Sequence, residues 1–267
     1  TLELAELEFE GKEFDGAISR LTKFIESNPE QSLKIRAQYR LGWSFFEKKQ
    51  YGKAAELYEL VLPGVPKELS VVTAWQAGES RLHNGEYALA SVHYQTVTKA
   101  GKTADKYHIE LQEQAWLRLG HSQAQEKKWP DSEKTYAKFV EDYPKHTGVR
   151  TALKGIGFAH RQMQQYDKAL LVFEKVVADE IKDELGAEAQ FLRGECFLDQ
   201  KKYDQAISEY VGVTIYPFKE WQAKALYELA VALERKGEPA KARDQFNQLI
   251  SQYPNTQAAK VAKRQLK

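Results

Sequence analysis

The residue types that carry most enzyme chemistry are sparse in this sequence of 267 residues, which has six histidines and one cysteine. No two histidines stand four residues apart and no HExxH motif occurs, so the spacing of a helical zinc site is missing. Cys196 has no second cysteine to bond, and a free cysteine is more often a packed side chain than a nucleophile. Gly101-Lys102-Thr103 matches only the end of a phosphate-binding P-loop, because Thr96 stands where the motif requires glycine. The sequence therefore predicts no catalytic site, no metal and no cofactor, and a hydrolase is the least favoured alternative.

The composition predicts a folded chain with no nucleic-acid partner. Hydrophobic residues make up 42% and charged residues 29% of the sequence, which is enough apolar material for a core. The formal net charge is +1, whereas nucleic-acid binders concentrate positive charge on one face. No run of about 18 apolar residues occurs, so no membrane insertion is predicted for this segment. The sequence starts at Thr1 within a helical pattern, and we expect a signal peptide or lipid-anchor segment before it.

The elements that would position binding residues follow from an internal repeat. A glycine or alanine, termed the reference residue, recurs at spacings of 36, 42, 37, 37 and 36 residues. A second small residue follows it after twelve positions, and an aromatic residue follows after sixteen. The reference residues are Gly42, Gly78, Gly120, Gly157, Gly194 and Ala230, and Ala5 extends the series by one earlier repeat.

This pattern predicts a stack of helix pairs. Glycine inside a helix costs about 1 kcal/mol relative to alanine, so its recurrence indicates that two helices approach closely. We expect the aromatic at position sixteen to fill the gap towards the next repeat. Prolines at 29, 144, 217 and 254 end second helices. The predicted repeats run over 1–29, 30–66, 67–104, 105–144, 145–181, 182–217 and 218–254, followed by a terminal helix over 255–267, all within one continuous domain.

One spacing, 42 residues, departs from the others, and its additional residues fall between Tyr94 and Trp116. A longer connection or longer helices is the favoured interpretation, because insertions in solenoids map to loops. The alternative is a change of superhelical pitch that shapes a binding surface. Gly64-Val65-Pro66 is a second break in the pattern.

The small and aromatic series and the terminal prolines resemble the tetratricopeptide repeat superfamily over essentially the whole chain. The resemblance implies an all-α fold, a right-handed superhelical solenoid of about seven helix-turn-helix repeats plus a partial C-terminal capping helix. It also implies a protein-interaction scaffold that is not an enzyme. Segments 37–42 and 253–258 look most like bacterial envelope members, which include the Tol-Pal-associated cell-division coordinator and the lipoprotein of the β-barrel assembly machine. We therefore expect a periplasmic or outer-membrane-associated protein in a bacterial multiprotein assembly, with a cytoplasmic location as the alternative.

Members of this superfamily bind peptides mainly in a concave groove lined by first helices. Helical geometry places the residues three before, one after and four after the reference residue on that face. An aromatic recurs at the first of these positions in four of six repeats, so packing between neighbouring first helices is favoured there. The other two positions vary, which leaves them to a ligand. The predicted groove residues are Tyr39, Trp43, Phe46, Trp75, Glu79, His121, Phe158, Arg161, Phe191 and Tyr227.

The cluster from Tyr39 to Trp75 predicts anchor sites for apolar side chains of a partner's peptide or helical segment. An equally open alternative is that Trp43 and Phe46 pack against the incomplete first repeat. A second functional hypothesis is assembly, as part of a longer solenoid or by self-association through the terminal repeats. It rests on the incomplete first and eighth repeats, because an uncapped end can stack on another copy.

Overall fold

The computed structural model describes residues 2–101, 105–177 and 182–266. Within these ranges the chain forms fifteen α-helices, one short 3₁₀ turn at Leu62–Gly64 and no strand, which confirms the predicted all-α repeat fold. The helices are α1 Leu2–Glu10, α2 Phe14–Glu26, α3 Gln31–Glu47, α4 Tyr51–Val61, α5 Lys67–His83, α6 Tyr87–Thr98, α7 Lys106–Gln125, α8 Trp129–Asp142, α9 Val149–Gln162, α10 Tyr166–Val176, α11 Glu184–Asp199, α12 Tyr203–Val213, α13 Lys219–Lys236, α14 Pro239–Gln252 and α15 Gln257–Gln265. None of these described helices is both long and apolar enough to cross a bilayer.

The chain divides into two compact units, Thr1–Thr135 (unit 1) and Tyr136–Lys267 (unit 2). The single continuous domain over residues 1–267 stays a prediction.

First and second helices alternate, and the sequence marks where the second helices begin. Six of them start at the aromatic that precedes the second small residue by three, for example α4 at Tyr51 and α12 at Tyr203. The seventh, α14, starts at Pro239, because the fixed φ and missing N–H of proline are tolerated in a first turn. The four prolines expected to end second helices all lie between helices, as predicted.

Each first helix from α1 to α13 is followed by a residue in the left-handed conformation, seven positions after the reference residue. These residues are Lys12, Lys49, Gly85, Lys127, Gln164, Lys201 and Gly237, with φ between 58° and 91°. In the α3–α4 turn, the N–H of Lys49 donates to the Phe46 carbonyl at 2.8 Å. The N–H of Gln50 donates to the Phe45 carbonyl at 2.9 Å, which completes the helix end. Only the two glycines signal this turn in the sequence; the other five residues hold a conformation that costs roughly 1 kcal/mol or more.

The reference glycines make room for the aromatic ring sixteen residues later in the same repeat. A Cβ atom at Gly78 would lie 2.8 Å from the Tyr94 ring, and one at Gly194 would lie 2.5 Å from the Tyr210 ring. Both tyrosines are fully buried. The expected packing towards the next repeat is also present, since Tyr94 shares a core cluster with Leu111 of α7. The ring therefore joins the two helices of its own repeat as well as adjacent repeats.

The additional residues of the 42-residue spacing lie partly in the longer helix α7 and partly in the connection before it. Helix α7 has 20 residues, whereas α3 and α5 have 17 each. Asp105 caps α7 by accepting the Tyr107 N–H at 3.3 Å. Residues 102–104, and with them most of the Gly101-Lys102-Thr103 motif, lie outside the described residues.

Helix α15 covers the last core cluster of unit 2. Its buried residues, Ala259 and Ala262, pack in the same cluster as Leu229 and Phe246. Thr256 caps the helix by accepting the Ala259 N–H at 3.3 Å, and lysine and arginine side chains occupy the opposite face. The helix is shorter than the predicted 255–267 segment.

Candidate functional site

The aromatics three residues before the reference residue pack inside their own repeat. Tyr39 contacts Tyr58 with ring centroids 5.4 Å apart, and Trp75 contacts Tyr94 at 5.6 Å. In unit 2, the pairs Phe191–Tyr210 and Tyr227–Phe246 repeat this contact at 5.5 and 5.6 Å. The aromatic thus packs on the second helix of its repeat. Two of them also pack between neighbouring first helices, as the sequence suggested, since Phe191 lies 5.5 Å from the Trp221 ring of α13 and Trp75 shares a cluster with Leu111 of α7.

The prediction that Trp75 is an exposed anchor in the groove is wrong. It is only 8% exposed and lies in a core cluster with Tyr94, Leu111 and Leu119. Its indole already packs against protein on most of its surface, so little apolar area is left for a ligand.

In four of the six repeats with a complete aromatic series, the polarity of the residue after the reference residue matches that of the aromatic fifteen positions later. Glu79 accepts the Tyr94 hydroxyl at 2.5 Å, and Glu195 accepts the Tyr210 hydroxyl at 2.9 Å. Where the aromatic is phenylalanine, as at Phe173 and Phe246, the matching residues are the apolar Phe158 and Val231. This position is therefore set largely by the interior of the repeat, and the fifteen-residue pairing could have been read from the sequence.

Two predicted groove residues, Glu79 and Arg161, are engaged in ion pairs between repeats, so each already has a partner within the protein. Glu79 is 9% exposed and accepts the Arg118 Nε–H at 2.9 Å. Arg161 donates from Nη2 to Glu195 and from Nε to Asp199, each at 2.9 Å. Removing one member of such a pair leaves a partly buried charge without its partner, which is costly.

The aromatic cluster of unit 1 divides between two repeats. Trp43 packs on Phe9 of the first repeat, with ring centroids 5.3 Å apart. Phe46 instead contacts Tyr51 at 5.2 Å and His83 of the next repeat at 5.7 Å. The alternative of packing against the first repeat holds for Trp43 and not for Phe46, and both side chains remain half-buried.

The remaining predicted groove residues are His121 in unit 1 and Phe158 in unit 2. His121, in unit 1, is exposed and makes an edge contact with Tyr87 at 6.5 Å. Phe158 is a half-buried member of a unit 2 cluster that includes Phe173. A ligand-binding role for any predicted groove residue stays a prediction.

Cys196 is fully buried, and burial raises the pKa of its thiol to about 12. A thiol with such a pKa is protonated at neutral pH and is a poor nucleophile. Among the described residues, no three His, Cys, Asp or Glu side chains are grouped so that they could hold a metal ion.

A cavity of about 480 Å³ in unit 1, the α3–α5 pocket, offers a more specific candidate site. It is lined by Ser32, Ile35, Arg36, Tyr39, Arg40, Gly64, Val65, Pro66 and Leu69. Tyr39 comes from the predicted groove, and Leu69 on the opposite wall is 50% exposed. Burial, and the neighbouring phenol of Tyr107 on α7, raise the pKa of Tyr39. The signal for this pocket was present in the sequence as the Gly64-Val65-Pro66 break.

Two arginines stand on the α3 wall of the pocket. Arg36 binds Glu6 of α1 with both nitrogens, Nε at 2.8 Å and Nη2 at 2.7 Å. Arg40 approaches the same carboxylate only to 4.0 Å. Its guanidinium carbon lies 5.3 Å from the centroid of the Phe9 ring and 5.9 Å from that of Trp43. One carboxylate thus serves two guanidinium groups.

Comparison with known proteins agrees with the repeat architecture. Two family models, both described as tetratricopeptide repeat, match residues 2–68 and 156–220 and residues 114–146 and 224–256. Together these segments cover more than half of the chain. The search of curated proteins found no match.

Several solved structures share the fold at low sequence identity. The C-terminal part of a TPR repeat-containing protein from Cytophaga hutchinsonii has a TM-score of 0.68 and 16% identity, covering 98% of this chain and 99% of that one. A tetratricopeptide repeat protein from Parabacteroides merdae has a TM-score of 0.62 and 16% identity, covering 98% and 95%. MamA from Desulfovibrio magneticus has a TM-score of 0.55 and 18% identity, covering 68% and 93%. The chain therefore belongs to the tetratricopeptide repeat superfamily, whose members serve as protein-interaction scaffolds.

Proposed function

We propose that this scaffold binds a peptide segment of a partner protein at the α3–α5 pocket of unit 1. The observation that carries the proposal is an open cavity of about 480 Å³ whose lining is mainly apolar and includes the half-exposed Leu69. Burying one leucine or phenylalanine side chain of a partner there stabilises the complex by about 1.5–3 kcal/mol. A few such anchors dominate the affinity of most protein interfaces.

The location of the pocket suits a segment that runs across first helices. Tyr39 comes from α3, Leu69 from α5 and the neighbouring Tyr107 from α7, and Tyr107 is 51% exposed. An extended or helical segment anchored between α3 and α5 can therefore contact the aromatic face of Tyr107 as well. This proposal narrows the predicted groove from ten residues over the whole chain to one pocket and its margin.

The test blocks the pocket without removing a packed side chain. Ser32 is exposed on the lining, so Ser32→Trp places an indole in the mouth. Ser19→Trp, on the exposed face of α2, is the matched control. Short random peptides displayed on phage are selected against the wild-type protein, and the selected peptides are titrated by fluorescence anisotropy.

Peptides that use the pocket should bind Ser32→Trp about tenfold or more weakly and bind the control as they bind the wild type. Melting temperatures of the variants verify that both remain folded. Selected peptides that bind Ser32→Trp with wild-type affinity would overturn the assignment of the pocket.

A second candidate function is assembly through the first repeat. Leu4 and Leu7 of α1 are 45% and 64% exposed, and adjacent exposed leucines on one helix favour contact with another apolar surface. Sedimentation of the protein and of a Leu4→Ser/Leu7→Ser variant tests this idea. A wild-type protein that sediments with the mass of a monomer at every concentration would contradict it.

The bacterial envelope and a multiprotein assembly there remain our proposals for the setting of this scaffold, because they rest on resemblance. Cell fractionation that finds the full-length protein in the cytoplasm would overturn the first of them.

A further inference from the structure

We infer that the partner segment carries an acidic side chain close to its apolar anchor, and that Arg40 receives this carboxylate. The inference rests on the proposed function, since it names the chemistry of the ligand at the α3–α5 pocket. It follows from an imbalance of charge at the pocket, which has two cationic groups and one carboxylate to pair them.

The neighbouring repeats show what a balanced arrangement looks like. Glu79 stands one residue after its reference residue, and Arg118 stands two residues before the next one. This carboxylate pairs with this one arginine, Nε to Oε1 at 2.9 Å. Glu6 and Arg40 occupy the same two positions in the first and second repeats.

At the first pair of repeats, however, a further arginine takes the carboxylate. Arg36 lies one turn before Arg40 on α3 and binds Glu6 through two short hydrogen bonds of 2.8 and 2.7 Å. Arg40 is left 4.0 Å from the same group. A bidentate arginine–carboxylate contact is the stronger geometry, so Glu6 neutralises Arg36 and leaves the charge of Arg40 largely uncompensated.

The surroundings of Arg40 hold the guanidinium in place without neutralising it. The rings of Phe9 and Trp43 lie 5.3 and 5.9 Å from it, a range in which aromatic faces attract a cation. Glu47, one turn after Trp43 on α3, accepts the Trp43 indole N–H at 3.2 Å. Arg36 and Arg40 are the charged residues among those that line the pocket, so the described lining offers no carboxylate.

One carboxylate matches one uncompensated guanidinium. A side chain of Asp or Glu within a few residues of an apolar anchor would place its oxygens on Arg40 while the anchor fills the space between Tyr39 and Leu69. A fixed arginine that receives a charged partner contributes more to specificity and association rate than to affinity. We therefore expect a preference for acidic segments that weakens as salt is added.

The experiment uses the peptides selected on the wild-type protein, each remade with its acid changed to the amide. The acid-to-amide change should weaken binding to wild type about fivefold and leave binding to Arg40→Gln unchanged. Arg20→Gln is the matched control, because Arg20 of α2 pairs with Glu8 of α1 and lies outside the pocket lining. Peptides with an amidated C-terminus test whether Arg40 receives a side-chain carboxylate or the terminal one. They should bind as tightly as the same peptides with a free C-terminus.

Glu6→Gln supplies a test with the opposite sign. It removes the one carboxylate that competes with the ligand, so acidic peptides should bind a few-fold more tightly and their amide forms should not. If Glu6 has only a structural role, Glu6→Gln should weaken peptide binding, or should affect acidic peptides and their amide forms equally.

The outcomes separate this inference from the proposed function. Peptides that require an open pocket but show no acid preference, or an equal acid effect in Arg40→Gln, would overturn the role of Arg40 and leave the pocket standing. Peptides that ignore Ser32→Trp would overturn the pocket itself.

Discussion

Adding one methyl group at Gly194 should destabilise unit 2, although alanine is the better helix former. A Cβ at this position would lie 2.5, 2.8 and 2.9 Å from three atoms of the Tyr210 ring. The ring is fully buried and its hydroxyl is held by Glu195 at 2.9 Å, so it has no room to withdraw. Overpacking of this kind costs about 1–3 kcal/mol, and we take the upper end because three ring atoms are involved.

The helix propensity of alanine offsets about 1 kcal/mol of that cost. Gly194→Ala should therefore lower the free energy of unfolding by about 2 kcal/mol, which corresponds to a fall in melting temperature of about 4–8 °C. Thermal unfolding followed by circular dichroism measures this change. Gly42→Ala is the matched control, because its Cβ would meet the Tyr58 ring at 3.3 Å and that hydroxyl has no partner among the described residues.

The control should fall within about 1 kcal/mol of the wild type, since the Tyr58 ring can shift by a few tenths of an ångström. Equal stability of Gly194→Ala and Gly42→Ala would refute the explanation of the repeat glycine by close approach.

Three further predictions concern single contacts. Lys201→Gly should raise the free energy of unfolding by about 0.5–1 kcal/mol in denaturant titrations, because glycine adopts the left-handed conformation without strain; a loss of stability would count against the helix-end geometry. Tyr94→Phe should cost about 1–2 kcal/mol because its hydroxyl is hydrogen-bonded, whereas Tyr58→Phe should be neutral or stabilising because its buried hydroxyl is unpaired; equal costs would contradict the contrast. Burial, with the negative charge of Glu195, raises the pKa of Glu228 to about 7. The folded state then binds a proton that the unfolded state releases, so stability should fall by about 1–2 kcal/mol between roughly pH 4.5 and 7 and stay low above it. Glu228→Gln should remove that fall, and a variant with the wild-type pH dependence would refute the assignment.

The packing of the repeat was readable from the sequence because it obeys local geometry. A reference glycine or alanine and an aromatic sixteen residues later recur along the chain, and six of the second helices begin at a second recurring aromatic. The family followed from the same series. The left-handed turns were visible only at Gly85 and Gly237, because lysine and glutamine carry no signal for a conformation that tertiary packing imposes on them.

The surroundings of the predicted groove residues were less accessible to sequence reasoning. Variability after the reference residue suggested freedom for a ligand, yet Glu79 is occupied by Tyr94 and Arg118 inside unit 1. Trp75 looked like a surface anchor, and its burial depends on residues from α6 and α7 that close over it. Variation between repeats can record an internal partner as readily as an external one.

The helices, their pairing and the superfamily followed from the sequence, because small and aromatic residues that recur mostly every 36 or 37 positions can bury their apolar faces only by stacking. Which polar groups already have a partner depended on the tertiary structure. Arg36 and Arg40 stand four residues apart and look equivalent in the sequence, but Glu6 reaches only one of them well. A paired and a largely unpaired charge differ here by about 1 Å in the distance between atoms that lie some thirty residues apart in the sequence, and only the fold brings these atoms together.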